Sequence, residues 1–516
     1  MKRQNHLFSP VKIILALTLL FSAAGTRGVF AEGVFAREQK REKQVLGGGE
    51  LRFGITSELT TLDPLSPSNT ADGRSVLFNV YEGLVKSDTE GNLVPAVAEA
   101  FGTEQNGLVY SFILRKGVRF HDGSPVTPAD VEFTLNTAIE KKFSGFTGID
   151  KVEISGEQDL RITLKSPDVE FLPYLTIGIV PKANADREKN PIGTGPFKIE
   201  SYTPQQSLVL VKNPGYWRGD IPKLDKVTVV FGADSDSLLT GLIGGNIDAA
   251  GVTGSVLEQL DRNRFTVVEG YSNTVQLFAL NNSVKPLDNT AVRQAVSYAV
   301  DPAEIIDTAF YGWGEPSGSP LIPGLKNYYE SSLRNPYPKD TGKAKALLAA
   351  AGYRDGFPLE ITVPSNYTMH VDTAQVIVNQ LAEVGIKAAI RLTDWSTWLS
   401  DVYRGRKFEA TIISFDGSSV PLSPRSFLGR YVSTSGSNFI NFNNSEYDRL
   451  YNAALTESDG ARRTALYKRA QRVISEYAAS VYIQDIMSFK VFAPGFAGAV
   501  NYPLHVVDFS TIYRTD

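Results

Sequence analysis

Four histidines stand in a chain of 516 residues. One of them, His121, lies in the run FHDGSPVTPAD beside Asp122 and Gly123. An imidazole next to a carboxylate could serve as a general base or as part of a metal site. Either role needs further groups at defined spacing. The other histidines, His6, His370 and His505, are scattered singly, and neither H-x₃-H nor H-E-x-x-H occurs. There is no cysteine, which excludes disulfides, thiolate metal sites and a cysteine nucleophile. The serine-hydrolase elbow G-x-S-x-G, a Walker A loop and G-x-G-x-x-G are absent, and S-x-x-K lacks S-D-N and K-T-G. Carboxylates are abundant, but no motif pairs two of them for glycoside hydrolysis. We therefore expect no catalytic residue, no metal and no cofactor. An exported hydrolase is the rival class.

The elements around His121 favour scaffolding. YSFILRKGVRF alternates Tyr110, Phe112 and Leu114 on one face, which predicts a strand. HDGSP is a turn. Thr127 is a helix N-cap, Pro128 suits the first helical position, and Asp130 sits in the first turn. His121 thus sits at the mouth of a strand–turn–helix unit.

Further along, VLFNVYEGLV (76–85) predicts a short buried helix closing at Gly83. LDKVTVVFGADSDSLLTGLIGGNIDAA predicts strand, helix and a strand from Ile247. Residues 288–312 predict two helices, with Asp301, Pro302 and Glu304 as a capping box for the second and Gly312 as its stop. Residues 370–392 read as helix, Gly385 stop and strand, and FEATIISFDG as a buried strand. The basic run Arg462, Arg463, Lys468, Arg469 and Arg472 reads as a solvated helix face. Strands alternating with helices over this length predict α/β domains with covered sheets, whose ligands bind at strand ends or between domains.

The N-terminus has the make-up of an export signal. Lys2, Arg3 and Lys12 precede and follow no acid, the apolar run IILALTLLFSAA is too short to span a bilayer, and VFA ends at Ala31, with a second VFA ending at Ala36. Setting aside residues 1–31 leaves 56 acids against 48 bases, a net charge of −8. A mildly acidic exported protein is not a nucleic-acid binder. No Cys follows the signal to carry a lipid, so we expect a soluble, periplasmic protein.

Several segments together resemble one family, the extracytoplasmic solute-binding proteins of peptide/nickel-type (oligopeptide/dipeptide) ABC importers. They are TLDPLSPSN with VYEGLV, YSFILRKGVRFHDGSPVTPADV, IGTGPFKI, LVKNPGYW, ALNNSVKPLDNTAVRQAVSYAVD, AKALLAAAGY, and LAEVGI with DWSTWL, in family order over nearly the whole mature chain. The resemblance implies an α/β, two-lobed periplasmic-binding-protein clamshell of type II with an additional family-specific third domain. Its pieces would be a signal peptide (1–31), a flexible leader (32–49), one lobe from 50–80, 190–280 and 481–516, the extra domain at 81–189 and the other lobe at 281–480. It implies a non-enzymatic monomer that captures a peptide-like solute and passes it to ABC permease subunits in the inner membrane. An oligosaccharide, an opine or a nickel chelate is the alternative cargo.

The resemblance also implies ligand contacts at Trp395 of DWSTWL, at Ser68, Asn69 and Thr70 after LDP, and at His370. Peptide binders of this family place an aspartate after the strand matching TIISF to hold the peptide amine. Here Asp416 is near, but two extra residues intrude before SPRSF, and direct spacing puts Ser418 at that place. An arginine that some of them carry in this strand corresponds to Ile412.

Overall fold

The computed structural model describes residues 44–416 and 423–516. The proposed signal segment and Ser418 lie outside the described residues. In chain order, β1 (Glu50–Ile55) and α1 (Ala71–Leu77) come first. An antiparallel sheet follows, of β2 (Ala98–Glu104), β3 (Val109–Leu114), β4 (Ile149–Ile154) and β5 (Asp159–Leu164) in the order β2-β3-β5-β4. Helix α2 (Pro128–Glu140) buries Val131, Leu135 and Ala138 against Phe112 and Leu160 of this sheet. Its start is the predicted one, and Asp130 does more than face the dipole. Its carboxylate accepts from the Thr127 N–H (2.9 Å) and hydroxyl (2.6 Å), closing a capping box.

Next come β6 (Phe197–Thr203), β7 (Ser207–Lys212), β8 (Lys226–Phe231), α3 (Ser235–Gly244), β9 (Ala249–Val252) and the long β10 (Thr266–Leu280). Then follow α4 (Thr290–Ala299), α5 (Pro302–Ala309), α6 (Thr341–Ala350), β11 (Pro358–Pro364), α7 (Thr368–Ala382), β12 (Lys387–Thr393) and β13 (Ala410–Asp416). Helices α8 (Ser445–Thr456) and α9 (Gly460–Glu476) lead into β14 (Ser480–Phe492). The large strands form one sheet in the order β12-β11-β13-β10-β14-β9-β1-β8-β7-β6. At β13 and β10 it is covered on both faces. Ile413 and Leu277 join Trp398, Phe439 and Tyr447 on one side, while Ile412 and Phe278 join Val296 and Ile377 on the other. Burial on both faces is why Ile412 and Ile413 stand side by side instead of alternating with exposed polar residues. Among the described residues no helix is long and apolar enough to cross a membrane.

Three local expectations fail. The helix predicted over 76–85 lies earlier, at Ala71–Leu77, because Thr70 accepts from the Gly73 N–H at 3.1 Å and caps it there. Asp301 caps α5, but Glu304 does not complete a box; its carboxylate is taken by Lys339 (3.3 Å) and Gln380 (2.9 Å). The expected Gly312 stop stands: the helix ends at Ala309, and Gly312, at a φ of 80°, donates to the Ile306 carbonyl at 3.0 Å just beyond it. Of the basic run, Arg463 is not solvated: it pairs with Glu170 at 3.3 Å and its side chain is 18% exposed.

Two strands, β10 and β14, run through both parts of the large sheet. Their ladder slips between Tyr271 and Val275 and again between Gln276 and Leu277, and Asn273 adopts a left-handed φ of 58°. Asp485 of β14 is buried at this slip and accepts from the Thr274 N–H at 3.1 Å. Burial pushes its carboxyl well above the usual range.

Candidate functional site

Strand direction locates a cleft. β1, β8 and β9 are mutually parallel, and so are β11, β12 and β13. Both β9 and β10 are antiparallel to β14, and β13 is antiparallel to β10, so the two parallel sets run toward each other. The carboxyl end of β9, Val252, lies level with Glu269 of β10 through Phe489. The carboxyl end of β13, Asp416, pairs with Thr274. The interval is five residues of β10, roughly 16 Å at about 3.3 Å each. Open α/β sheets bind ligands off the carboxyl ends of their strands. Here two such edges face each other across the slipped middle of β10 and β14.

On one side stand residues following β11, β12 and β13. Asp394 ends the turn after β12 and accepts from the Thr397 N–H at 3.0 Å, which sets Trp395 at the start of a short helix. Trp395 remains 36% exposed. Its ring stacks on buried Trp398 at 5.1 Å and 5°, and Tyr367 meets it edge-on at 5.4 Å. Trp398 is held by its Nε1–H to Thr411 Oγ1 at 3.0 Å. At the end of β13, the Arg430 guanidinium lies 3.9 Å from the Phe415 ring centre. Asp416 is the last residue of β13.

His370 lies behind this wall rather than on it. The expected ligand contact is 2% exposed and accepts from Gln276 Nε2 at 3.1 Å, with Tyr367 packed on it. Burial lowers its pKa to about 4, so the imidazole is neutral. Its first-turn position on α7 placed it at the correct end, and tertiary packing turned it inward.

On the other side the loop after β1 borders a cavity of about 540 Å³. Asn69 and Ser66 line it, with Tyr81, Phe143 and Val506 supplying apolar surface. Ser68 is exposed and accepts from Thr60 through its carbonyl at 2.7 Å; Thr70 is occupied as the cap of α1. Trp395 does not line this cavity.

The junction beneath the cavity explains several motifs. Glu82 of VYEGLV accepts from Tyr216 (2.7 Å), Trp217 (2.9 Å) and Thr194 (3.3 Å). Three segments, VYEGLV, IGTGPF and LVKNPGYW, therefore meet on one buried carboxylate. His121 joins the same junction. Its Nδ1 accepts from the Gly193 N–H at 3.2 Å, and its Nε2 faces the Gly195 carbonyl at 3.1 Å. Burial lowers its pKa to about 4. This is a neutral imidazole bridging two loops, and scaffolding is its role. A side chain at Gly193 would place Cβ 2.0 Å from the Val80 carbonyl oxygen.

Sequence reading did not single out Lys86, which lines the cavity, or Tyr367 and Arg430, which pack at Trp395 and Phe415. Lys86 follows VYEGLV directly, and Tyr367 precedes His370 by three residues, but neither carries a spacing signal of its own.

A family model described as bacterial extracellular solute-binding proteins, family 5 Middle, matches residues 92–439. The glutathione-binding protein GsiB of Salmonella typhimurium LT2 is 29% identical over 452 residues, 83% of this chain and 87% of that protein. The solved structure of the ABC transporter-associated periplasmic binding protein DppA from Helicobacter pylori, in complex with peptide STSA, is 26% identical. It superposes with a TM-score of 0.75 over 91% of this chain and 99% of that one. The binding protein AgaA from A. tumefaciens R10, in complex with agropinic acid, is 28% identical with a TM-score of 0.73 over 91% and 99%.

Proposed function

Since the chain belongs to the bacterial extracellular solute-binding proteins of family 5, we propose that it captures a peptide-like solute between two lobes and delivers it to the permease subunits of an ABC importer in the inner membrane. Its fold is the two-lobed type II periplasmic-binding-protein clamshell with an additional domain. In this reading one lobe comprises 50–80, 190–280 and 481–516, the other 281–480, and the extra domain 81–189. Residues 1–31 direct export to the periplasm, and the mature protein acts as a monomer without catalysis.

The observation that carries this reading is the pair of strand-end edges facing each other across the slip in β10 and β14. In this reading the chain crosses between the lobes through those two strands, which deform when the lobes hinge. A solute touching both edges makes its full contacts only in the closed form, so it shifts the population closed. Trp395 with Tyr367 would cover one side of the solute, and the Ser68–Thr70 loop the other. Asp416 or Ser418 would meet an amine at the end of β13. An extended peptide in such a gap bonds through its main chain, while hydrated pockets accept varied side chains.

Glutathione, STSA and agropinic acid are the ligands named for three relatives. The agropinic acid complex supports a second reading, in which the same fold carries a non-peptide acid. Thermal melting of the full chain with short peptides, glutathione, agropinic acid, oligosaccharides and nickel–histidine discriminates these. We expect a midpoint rise with peptides or glutathione. A rise only with a non-peptide compound replaces peptide by that class, and turnover of a ligand would return the protein to the hydrolases.

A further inference from the structure

Lys86 lines the 540 Å³ cavity, and its ammonium lacks a full set of partners. The only carboxylate within 4 Å among the described residues is Glu82, at 3.9 Å, which is beyond hydrogen-bond length. Both Glu82 oxygens already accept from Tyr216, Trp217 and Thr194. An ammonium carries three donors, and among the described residues no hydrogen bond takes any of them.

The surroundings add positive charge. Arg115 lies 4.4 Å, Lys86 5.8 Å and Arg218 6.0 Å from the centre of the Trp217 ring. Three cations thus gather around one indole whose N–H serves Glu82, and Asp508 is a second carboxylate that attracts Lys86 from farther off. The other charged groups on the lining are either engaged in hydrogen bonds or, like Lys142, exposed to water. Lys141 donates to the Leu65 carbonyl at 2.7 Å, His505 meets Asp72 at 2.7 Å, and Asp508 accepts from Tyr502 at 2.7 Å. Lys86 is thus the half-buried lysine of this lining that has no hydrogen-bonded acceptor among the described residues. Its side chain is 22% exposed, enough to reach the cavity and little enough to be poorly hydrated. Burial accordingly lowers its pKa, which an arriving anion would reverse.

We propose that this cavity receives the acidic end of the captured solute, a carboxylate, with the Lys86 ammonium as its counter-charge. The inference rests on the capture reading above and assigns one charge requirement to its cargo. A carboxylate here gains a charge-assisted bond in a sheltered site and gives the buried ammonium the acceptor it lacks.

The test is calorimetric titration of the full chain with trialanine as the free acid and as its C-terminal amide, and with glutathione and its diethyl ester. Wild type should prefer each acid over its neutral partner by about tenfold or more. K86M should lose that preference, with affinity for the neutral forms unchanged, and K86R should keep part of it. A K86M protein with wild-type preference overturns the proposal, as does equal wild-type affinity for acid and neutral forms; both leave capture standing. Absence of binding to every one of the four overturns peptide capture and this site with it. K86R separates a folding defect from loss of charge, since it retains the cation.

Discussion

His121 and His370 are both buried and neutral, and their titration has a definite sign. Each protonates near 6.5 when exposed and near 4 in the fold. The unfolded chain therefore binds these protons first, and the stability from a neutral imidazole is lost as pH falls from 6.5 to 4. At pH 5 the loss is on the order of 2 kcal/mol for each. Glu170 and Asp485 act in the opposite sense, because burial raises their carboxyls. A difference measurement isolates His370: the stability gap between wild type and H370Q in urea should narrow by about 2 kcal/mol from pH 7.5 to pH 5. An unchanged gap would mean that the imidazole is not held neutral. The two stacked tryptophans should also separate. W395A should weaken ligand binding about tenfold with little change in melting, since its outer face is open. W398A should cost about 3 kcal/mol of stability, since it is fully buried.

At the scale of elements, most starts and stops were legible from local chemistry. The Thr127–Pro128–Asp130 start of α2, the Gly385 stop and the strands around Phe112 and Ile412 were all readable in this way. T127A should cost about 1 kcal/mol, read as a shift in the urea midpoint. Apart from the early start of α1, which Thr70 sets locally, the failures have long-range causes. Glu304 was available for a capping box by spacing, but Lys339 and Gln380 from other elements hold it. The loop–loop junction at His121 makes a sharper prediction. G193A forces Cβ onto the Val80 carbonyl, and the two loops must part. The expected cost is about 3 kcal/mol, with loss of the His121 imidazole signal typical of a buried ring in proton NMR.

For the whole molecule, a second contact besides β10 and β14 joins the four-stranded sheet's flank to the region of α8 and α9. Glu170 accepts from Ser423 and pairs with Arg463, and Asp168 pairs with Arg425, whose guanidinium also faces Tyr174. Glu170 is 5% exposed, so removing a cation leaves a buried carboxylate undercompensated. R463M should cost about 2 kcal/mol. If this contact also resists opening, small-angle scattering of R463M without ligand should give a larger radius than wild type, and an unchanged radius would confine its role to stability. The basic face of α9 did not reveal this contact, because pairing across the molecule leaves no periodic trace in either segment.

Periodicity, caps and turn residues determined the helices, the strands and the α/β class, since those choices are made among neighbours a few residues apart. The absence of cysteine and of catalytic spacing also stood in the residues themselves. Tertiary structure alone decided which groups are satisfied. Glu82 takes its three donors from positions 112, 134 and 135 residues away, and that engagement leaves Lys86 without a bonded anion. It also decided that His370 faces inward while Trp395 keeps an open face. Burial and pairing depend on where distant segments meet, and no local pattern encodes that distance.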